Sequence, residues 1–324
     1  RLGSSNHGIE IMTTTLDRIQ LVDFCADHLP GAVRLSQEAG WPHRTQDWAL
    51  TLSHSTGVVA LQEGEVVGTA LASVFGDVAT LNMIIVDERL RGRRLGRRLM
   101  DAVIAYAGAR EMRLIATQDG LPLYEKLGFK AIGDVAQFQG LVRAASPADG
   151  VNTDGYDLDR MVAMDRAASG LERGDLLKQI SEQGQVFYTD QGFAMLRDFG
   201  RGKVLGPIVA QNLETARSLL ATAAHTENGS FLRLDTPVPE LGTFAHDLGL
   251  EVHAGHGLTY EDVTPVAADD AALHFVGREV DSSRGAVAGA FGTVALHGAD
   301  QQVARLNFRF IASPVNRVFK HLIL

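Results

Sequence analysis

Gly92 and Gly96 stand among five arginines, Arg91, Arg93, Arg94, Arg97 and Arg98, between an apolar run and an amphipathic one. Glycines at a tight turn expose consecutive backbone N–H groups and remove the Cβ atoms that would block a phosphate. At a helix start the dipole adds its own preference for anions. The arginines surround that turn with positive charge. A basic run by itself is usually a solvated helix face, and a glycine before a helix is often only a turn. Placed together after a strand, they favour a diphosphate site. A second candidate is Tyr124 in Leu123-Tyr124-Glu125-Lys126-Leu127-Gly128-Phe129, whose phenol can donate a proton. Its plainer reading is a ring that packs a short helix closed by Gly128.

The elements that must hold these groups follow from apolar patterning and turn signals. Residues 28–40 and 45–54 read as short helices. Residues 57–62, 66–75 and 78–86 read as strands joined by hairpins at Glu63-Gly64 and Gly76-Asp77. A helix over 95–110 carries Leu95, Leu99, Val103 and Tyr106 on one stripe. A strand over 112–117, a helix over 121–127 and a strand over 130–139 complete the set. This order gives a mixed sheet with helices against it. A dinucleotide fold is excluded, because hairpins precede the glycine-bearing strand and GxGxxG is absent.

Residues 144–155 lack apolar periodicity and read as a linker. The second half then repeats the element order. Helices fall at 159–168 and 171–182, and strands at 185–189, 192–199 and 203–210. A helix capped by Asn212 and a strand–helix–strand over 230–236, 238–248 and 251–259 follow. The pattern agrees without residue identity, which points to an internal duplication. Five segments result: a non-native or disordered leader over 1–11 before Met12, a catalytic domain over 12–143, the linker, a degenerate copy over 156–262, and an extension over 263–324. In that extension only 285–296 and 303–311 suggest strands.

Of the 324 residues, 45% are hydrophobic and 21% charged, the balance of an ordinary globular protein of about two domains. A net charge of −9 argues against nucleic acid as a general partner. No run approaches the ~18 apolar residues of a membrane span. Cys25 is the only cysteine, so neither a disulfide nor a cysteine zinc site is expected, and a cytoplasmic setting suits the chain. His253 and His256 on one strand would face opposite sides, which makes a metal pair improbable and leaves no metal site expected.

The stretch over 86–98 resembles the acyl-CoA-binding motif of the GNAT superfamily, (Q/R)xxGx(G/A), with Arg91 and Gly96 at its ends and Arg94 in place of the inner glycine. The stretch from Leu123 to Phe129 is similar to that family's YExLGF signature. The resemblance covers roughly residues 16–140. A narrower likeness, carried by Trp41-Pro42, Asp47-Trp48 and Gln137-Phe138-Gln139-Gly140, extends to bacterial members with a degenerate second GNAT-like domain. It implies an α/β fold of tandem domains, each a mixed, mostly antiparallel sheet flanked by helices. It implies acetyl-CoA as co-substrate, with Ile84, Ile85 and Val86 holding the pantetheine arm and acetyl group. Gly92, Arg93, Arg94, Leu95, Gly96 and Arg97 would hold the pyrophosphate. Tyr124 would protonate departing coenzyme A, and Thr117 stands where the family often has a cofactor-binding asparagine.

The corresponding loop of the second half, Gln211 to Arg217, has no glycine and one basic residue, so one cofactor site per chain is expected. That half would stabilise the first, mediate homodimerisation, or wall the acceptor site with Arg166, Arg173, Arg197 and Arg233. Trp48 and His54 lie on the helix that lines the acceptor cleft in related folds, and His54 would be a candidate base. Cys25 reads as a small core residue. The resulting expectation is direct acetyl transfer to a primary amine of a small molecule or peptide, with the oxyanion met by a backbone N–H near Ile85 or Val86. The alternative is a CoA-binding sensor without turnover.

Overall fold

The computed structural model describes residues 19–143, 145–253, 257–262, 292–293 and 320–321. The first half runs β1 (Ile19–Asp23), α1 (Leu29–Glu38), α2 (Thr45–Ser53), β2 (Thr56–Gln62), β3 (Glu65–Phe75), β4 (Val78–Val86), α3 (Leu95–Ala107), β5 (Glu111–Ala116), α4 (Leu121–Lys126) and β6 (Phe129–Leu141). The second half runs α5 (Leu158–Ser169), α6 (Gly174–Gln183), β7 (Gln185–Thr189), β8 (Gly192–Phe199), β9 (Gly202–Ala210), α7 (Leu213–Thr226), β10 (Phe231–Thr236), α8 (Pro239–Asp247), β11 (Glu251–Val252) and β12 (Gly257–Asp262). The expected tandem of mixed sheets flanked by helices is what forms. β1 was not anticipated; among the described residues its five residues pair with β2 alone, antiparallel.

Helix α3 shows why the first core forms. Leu95, Leu99, Met100, Val103 and Ala107 are buried on one stripe, against β2, β3 and β4. Full burial of Leu99, Met100 or Val103 contributes about 1.5–3 kcal/mol each. On the other face of that sheet α1 and α2 cover Val59, Leu71, Met83 and Ile85. The halves then meet through α2 and α5–α6: Leu50, Phe75 and Val78 share a core with Leu171, Leu176 and Leu177. Arg113 Nη1 donates to the Ser169 carbonyl at 3.0 Å, and the Glu172 N–H to that of Phe75 at 3.4 Å.

The halves also exchange strands. β6 is long enough to serve both sheets: residues 129–135 pair with β12, and residues 136–141 pair with β10. β12, from the end of the second half, lies antiparallel between β5 and β6. A single strand over 251–259 was expected to complete the second domain. Instead β11 pairs with β6 at Phe138 and Gln139, and β12 leaves for the first sheet. The boundary at 143 therefore divides the chain but not its sheets. Of the tail stretches 285–296 and 303–311, only Gly292–Thr293 lies within the described residues, paired with Lys320–His321; the rest of both stretches lies outside them.

An isolated fragment over 12–155 has no strand to place between β5 and β6. We expect it to show no cooperative urea transition by circular dichroism, whereas the whole chain unfolds in one. A fragment that unfolds cooperatively would contradict the exchange.

Candidate active site

β4 and β5 run parallel but pair at only three positions, Val78–Glu111, Ala79–Met112 and Thr80–Arg113. Beyond Thr80 they part, and among the described residues the remainder of β4 pairs with β3 alone. The register with β3 slips at the same place: Leu71 faces Asn82 and Thr69 faces Ile85. Two residues of β4, Met83 and Ile84, therefore oppose one of β3, which is a bulge. Met83 has φ 51°, and Thr69 Oγ1 donates to its carbonyl at 2.7 Å, pinning the bulge. Ile84 and Val86 turn to the α3 side, while Met83 and Ile85 turn to the α1–α2 side.

The turn into α3 lies at the mouth of this gap. The Asp87 carboxylate accepts from the Arg89 N–H at 2.9 Å and from the Arg89 guanidinium, contacts that hold its pKa below the usual range. Gly92 has φ 75°, and Arg94 enters the helix at φ 64°, ψ 8°. The inner position of the motif therefore does require the left-handed region, and arginine occupies it at a cost of about 1 kcal/mol. No side chain caps α3, and its first intrahelical bond runs from the Arg98 N–H to the Arg94 carbonyl at 3.1 Å. The preceding N–H groups of the first turn, Leu95, Gly96 and Arg97, have no partner within the helix.

The five arginines divide their work. Arg98 donates to the Ile19 carbonyl at 3.2 Å, and Arg97 pairs along the helix with Asp101 at 2.7 Å. Arg91 reaches Asp119 across the gap at 3.3 Å, an exposed pair of little energetic weight. Arg93 and Arg94 are exposed and make no ion pair among the described residues. Exposed Thr117 follows β5 on the opposite rim, and its carbonyl accepts from the Gly120 N–H at 2.9 Å.

Helix α4 packs against the first turn of α3. A Cβ at Gly96 would lie 3.2 Å from Leu123 Cδ2, and a Cβ at Gly120 would lie 2.6 Å from the Tyr124 ring. Tyr124 is thus held tightly, 6% exposed and edge-on to Phe129 at 6.3 Å. Burial pushes its phenol well above the ordinary tyrosine range, so it keeps its proton at neutral pH.

On the other face of the parted strands lies a polar row that sequence reasoning missed. Asn82 Nδ2 donates to Ser73 Oγ at 2.9 Å, Ser73 and Ser55 share a 2.6 Å hydrogen bond, and Ser55 donates to the Thr51 carbonyl at 2.7 Å. Asn82 Oδ1 and Thr80 Oγ1 are buried with no hydrogen-bond partner among the described residues. The available signal was an asparagine and a threonine inside Val78–Val86, an otherwise apolar strand.

The residues expected around an acceptor are scattered. Trp48 is fully buried and its indole donates to Ser36 Oγ at 2.7 Å, so it is a core residue and not a cleft wall. His54 caps the end of α2, and its Nε2 lies 2.7 Å from Gln179 Oε1 of the second half, an engagement at odds with a free base. Arg166 pairs with Glu172 at the surface, and Arg173 with Asp165 at 2.7 Å in a buried bridge. Cys25 is exposed and not in a core. Arg197 and Arg233, by contrast, converge on the Phe199 ring.

The second half repeats the framework with a different helix start. β9 and β10 pair at only two positions before parting. β9 has a bulge at the same point, between the Ala194–Ile208 and Leu196–Leu205 pairs. Gly206 and Pro207 occupy that bulge, and Pro207 has no N–H to offer. Only residues 211 and 212 separate β9 from α7, whose start is closed by Asn212 Oδ1 accepting from the Thr215 N–H at 2.7 Å.

Comparison with known proteins agrees with this architecture. Residues 22–129 match the acetyltransferase (GNAT) family, and residues 161–271 match an acetyltransferase (GNAT) domain. The chain is 27% identical over 266 residues to the uncharacterized N-acetyltransferase YitH of Bacillus subtilis, covering 76% of this chain and 90% of that protein. Among solved structures, a putative acetyltransferase from Pyrococcus horikoshii superposes with a TM-score of 0.66 at 17% identity, over 79% of this chain and 92% of that one. A tandem GNAT protein from the clavulanic acid biosynthesis pathway superposes with a TM-score of 0.54 at 15% identity, over 75% of this chain and 98% of its own.

His43, between α1 and α2, gives a test of the geometry. Burial pushes its pKa from 6.5 down to about 4, helped by the charges of Arg233 and Arg197 and opposed by Asp47. Between those values the unfolded chain binds a proton there that the folded chain does not. Stability should therefore fall by up to about 3 kcal/mol as pH drops through this window. Urea unfolding of His43→Gln should show a flatter pH dependence than the parent between pH 6.5 and 4. An unchanged slope would contradict the buried, neutral imidazole.

Proposed function

The chain is an N-acetyltransferase of the GNAT family, with one such domain in each half, and from that premise we propose that it transfers acetyl from acetyl-CoA directly to a primary amine at the first domain alone. The observation that carries this reading is the uncapped start of α3 at the mouth of the parted strands. Open N–H groups, a helix dipole and two arginines, Arg93 and Arg94, with no ion pair among the described residues suit a pyrophosphate. Residues 12–143 form the catalytic unit, 144–155 its connector and 156–262 the degenerate companion. The protein acts in the cytoplasm on a small-molecule or peptide amine.

Each group has a role consistent with its setting. The amides of Gly92 to Arg97 and the Arg91, Arg93 and Arg94 side chains bind the pyrophosphate. Ile84, Ile85 and Val86 hold the pantetheine arm by their backbone, and Thr117 lines the opposite rim. The bulge at Met83 and Ile84 turns a backbone N–H near Ile85 or Val86 toward the thioester oxygen, where it stabilises the oxyanion. Asn82 Oδ1, buried with no partner among the described residues, accepts a hydrogen bond from the incoming amine, which gives up its proton to water as its nitrogen bonds to the thioester carbon. Tyr124 gives its proton to the departing thiolate, and its raised pKa keeps that proton in place until needed.

A thiol-release assay across a broad panel of primary amines tests this reading. We expect wild-type turnover with some members, and a kcat some 10²–10⁴-fold lower in Tyr124→Phe. Affinity for acetyl-CoA should stay within about twofold of wild type. Acetyl-CoA binding without turnover of any amine would favour a sensor. Full activity in Tyr124→Phe would remove the assigned acid.

A further inference from the structure

The polar row on β4 has a direction that its protons dictate. Ser55 Oγ lies 2.7 Å from the Thr51 carbonyl, which can only accept, so the single Ser55 proton is committed there. The 2.6 Å contact between Ser55 and Ser73 must then carry the Ser73 proton, with Ser73 as donor. Its own proton spent, Ser73 Oγ can only accept from Asn82, 2.9 Å away. The group that Asn82 turns to it is therefore the NH2. A second contact agrees: Nδ2 also lies 3.3 Å from the Thr80 carbonyl, another group that only accepts. Turning the amide over would set Oδ1 against two oxygen lone pairs with no proton between them.

The row is anchored at one end by both halves of the chain. Thr51 sits in the last turn of α2, where its carbonyl also accepts from the His54 N–H at 3.2 Å. His54 and Ser53 in turn meet Gln179 of α6 at 2.7 and 3.4 Å. At the other end, Asn82 directly precedes Met83, the first residue of the β4 bulge. Asn82 is partly exposed there, whereas Ser73 is fully buried. Oδ1 is left with no hydrogen-bond partner among the described residues, and the Thr80 hydroxyl, two residues back on the same face, does not supply one. An amide held this way offers an acceptor beside the bulge and withdraws its donor.

We propose that Ser55 and Ser73 are positioning residues, which hold the Asn82 amide with Oδ1 toward the incoming amine and Nδ2 away from it. Oδ1 accepts one N–H of the amine and so leaves the nitrogen lone pair free to face the thioester carbon. This inference rests on the acetyl-transfer reading above and names the groups that set its acceptor geometry.

Two measurements on the full chain test it. Asparagine is labelled isotopically at its side-chain nitrogen, the Asn82 signal is identified by its loss in Asn82→Ala, and exchange of its NH2 protons with water is followed by magnetic resonance. Exchange should be about tenfold faster in Ser55→Ala than in the parent, because Ser73 can then donate to an inverted amide. Ser55→Thr, which keeps the hydroxyl, should restore the parent rate. Should Ser55→Ala fail to fold, Ser73→Ala removes the acceptor of Nδ2 itself and is read the same way. Equal exchange in the parent and the alanine variant would overturn the proposal, and this readout needs no turnover. With an amine that the parent acetylates, KM for the amine should rise about tenfold in Ser55→Ala and recover in Ser55→Thr, while KM for acetyl-CoA stays within about twofold. An amine KM unchanged in Ser55→Ala but raised in Asn82→Ala would overturn the positioning role alone. An amine KM unchanged in Asn82→Ala would overturn the contact to the amine as well, so the two failures are distinguishable.

Discussion

Two parallel strands that pair for three residues and then part leave backbone groups and apolar side chains facing a gap. In an ordinary sheet the ladder would continue and close it. Here the β4 bulge, pinned by Thr69, turns the strand away from β5, and α3 begins where the gap opens. The strand backbone and the amides of the helix start border that opening because of this one divergence. Most other features of the first half keep the gap from collapsing. α3 is anchored by its apolar stripe, α4 is wedged against the first turn of α3, and β12 holds β6 away from β5.

The second half shows the same framework with its helix start closed. Its strands also part and its β9 also bulges, yet the helix start is closed by the protein's own Asn212. One helix leaves its first-turn donors open at a basic, glycine-bearing turn. The other satisfies a donor internally and begins after a two-residue connection. The contrast is local, since the surrounding topology is common to both. What the second half adds lies elsewhere: a strand for the first sheet, a core shared with α2, and a polar sheet face opposite His43.

The legible parts of this protein were those encoded within a few residues. The helix stripe of α3, the hairpins and the turn over 87–94 each follow from local period and residue type. The left-handed Arg94 fits the same rule, because the family pattern places glycine there. The illegible parts depend on pairing between distant segments. Nothing in residues 257–262 says that they pair with β5, since an alternating strand reads alike in either sheet. Trp48 read as a cleft residue because its helix was placed correctly but its facing was not; a fully buried indole needs a partner, and Ser36 supplies it from α1. His43, Arg197 and Arg233 come together only through contact between the halves, and Asn82 stood out only as a polar residue in an apolar strand.

The central claim is that one open helix start, and one only, binds the cofactor. Calorimetric titration of the full chain with acetyl-CoA tests it most directly, with Gly96→Glu as the control that places a carboxylate at that helix start. The account predicts a stoichiometry near one per chain in the parent and no detectable binding in the variant. Two equivalents per chain would show that the capped second framework also binds. Binding undiminished in Gly96→Glu, or none in the parent, would contradict the assigned site.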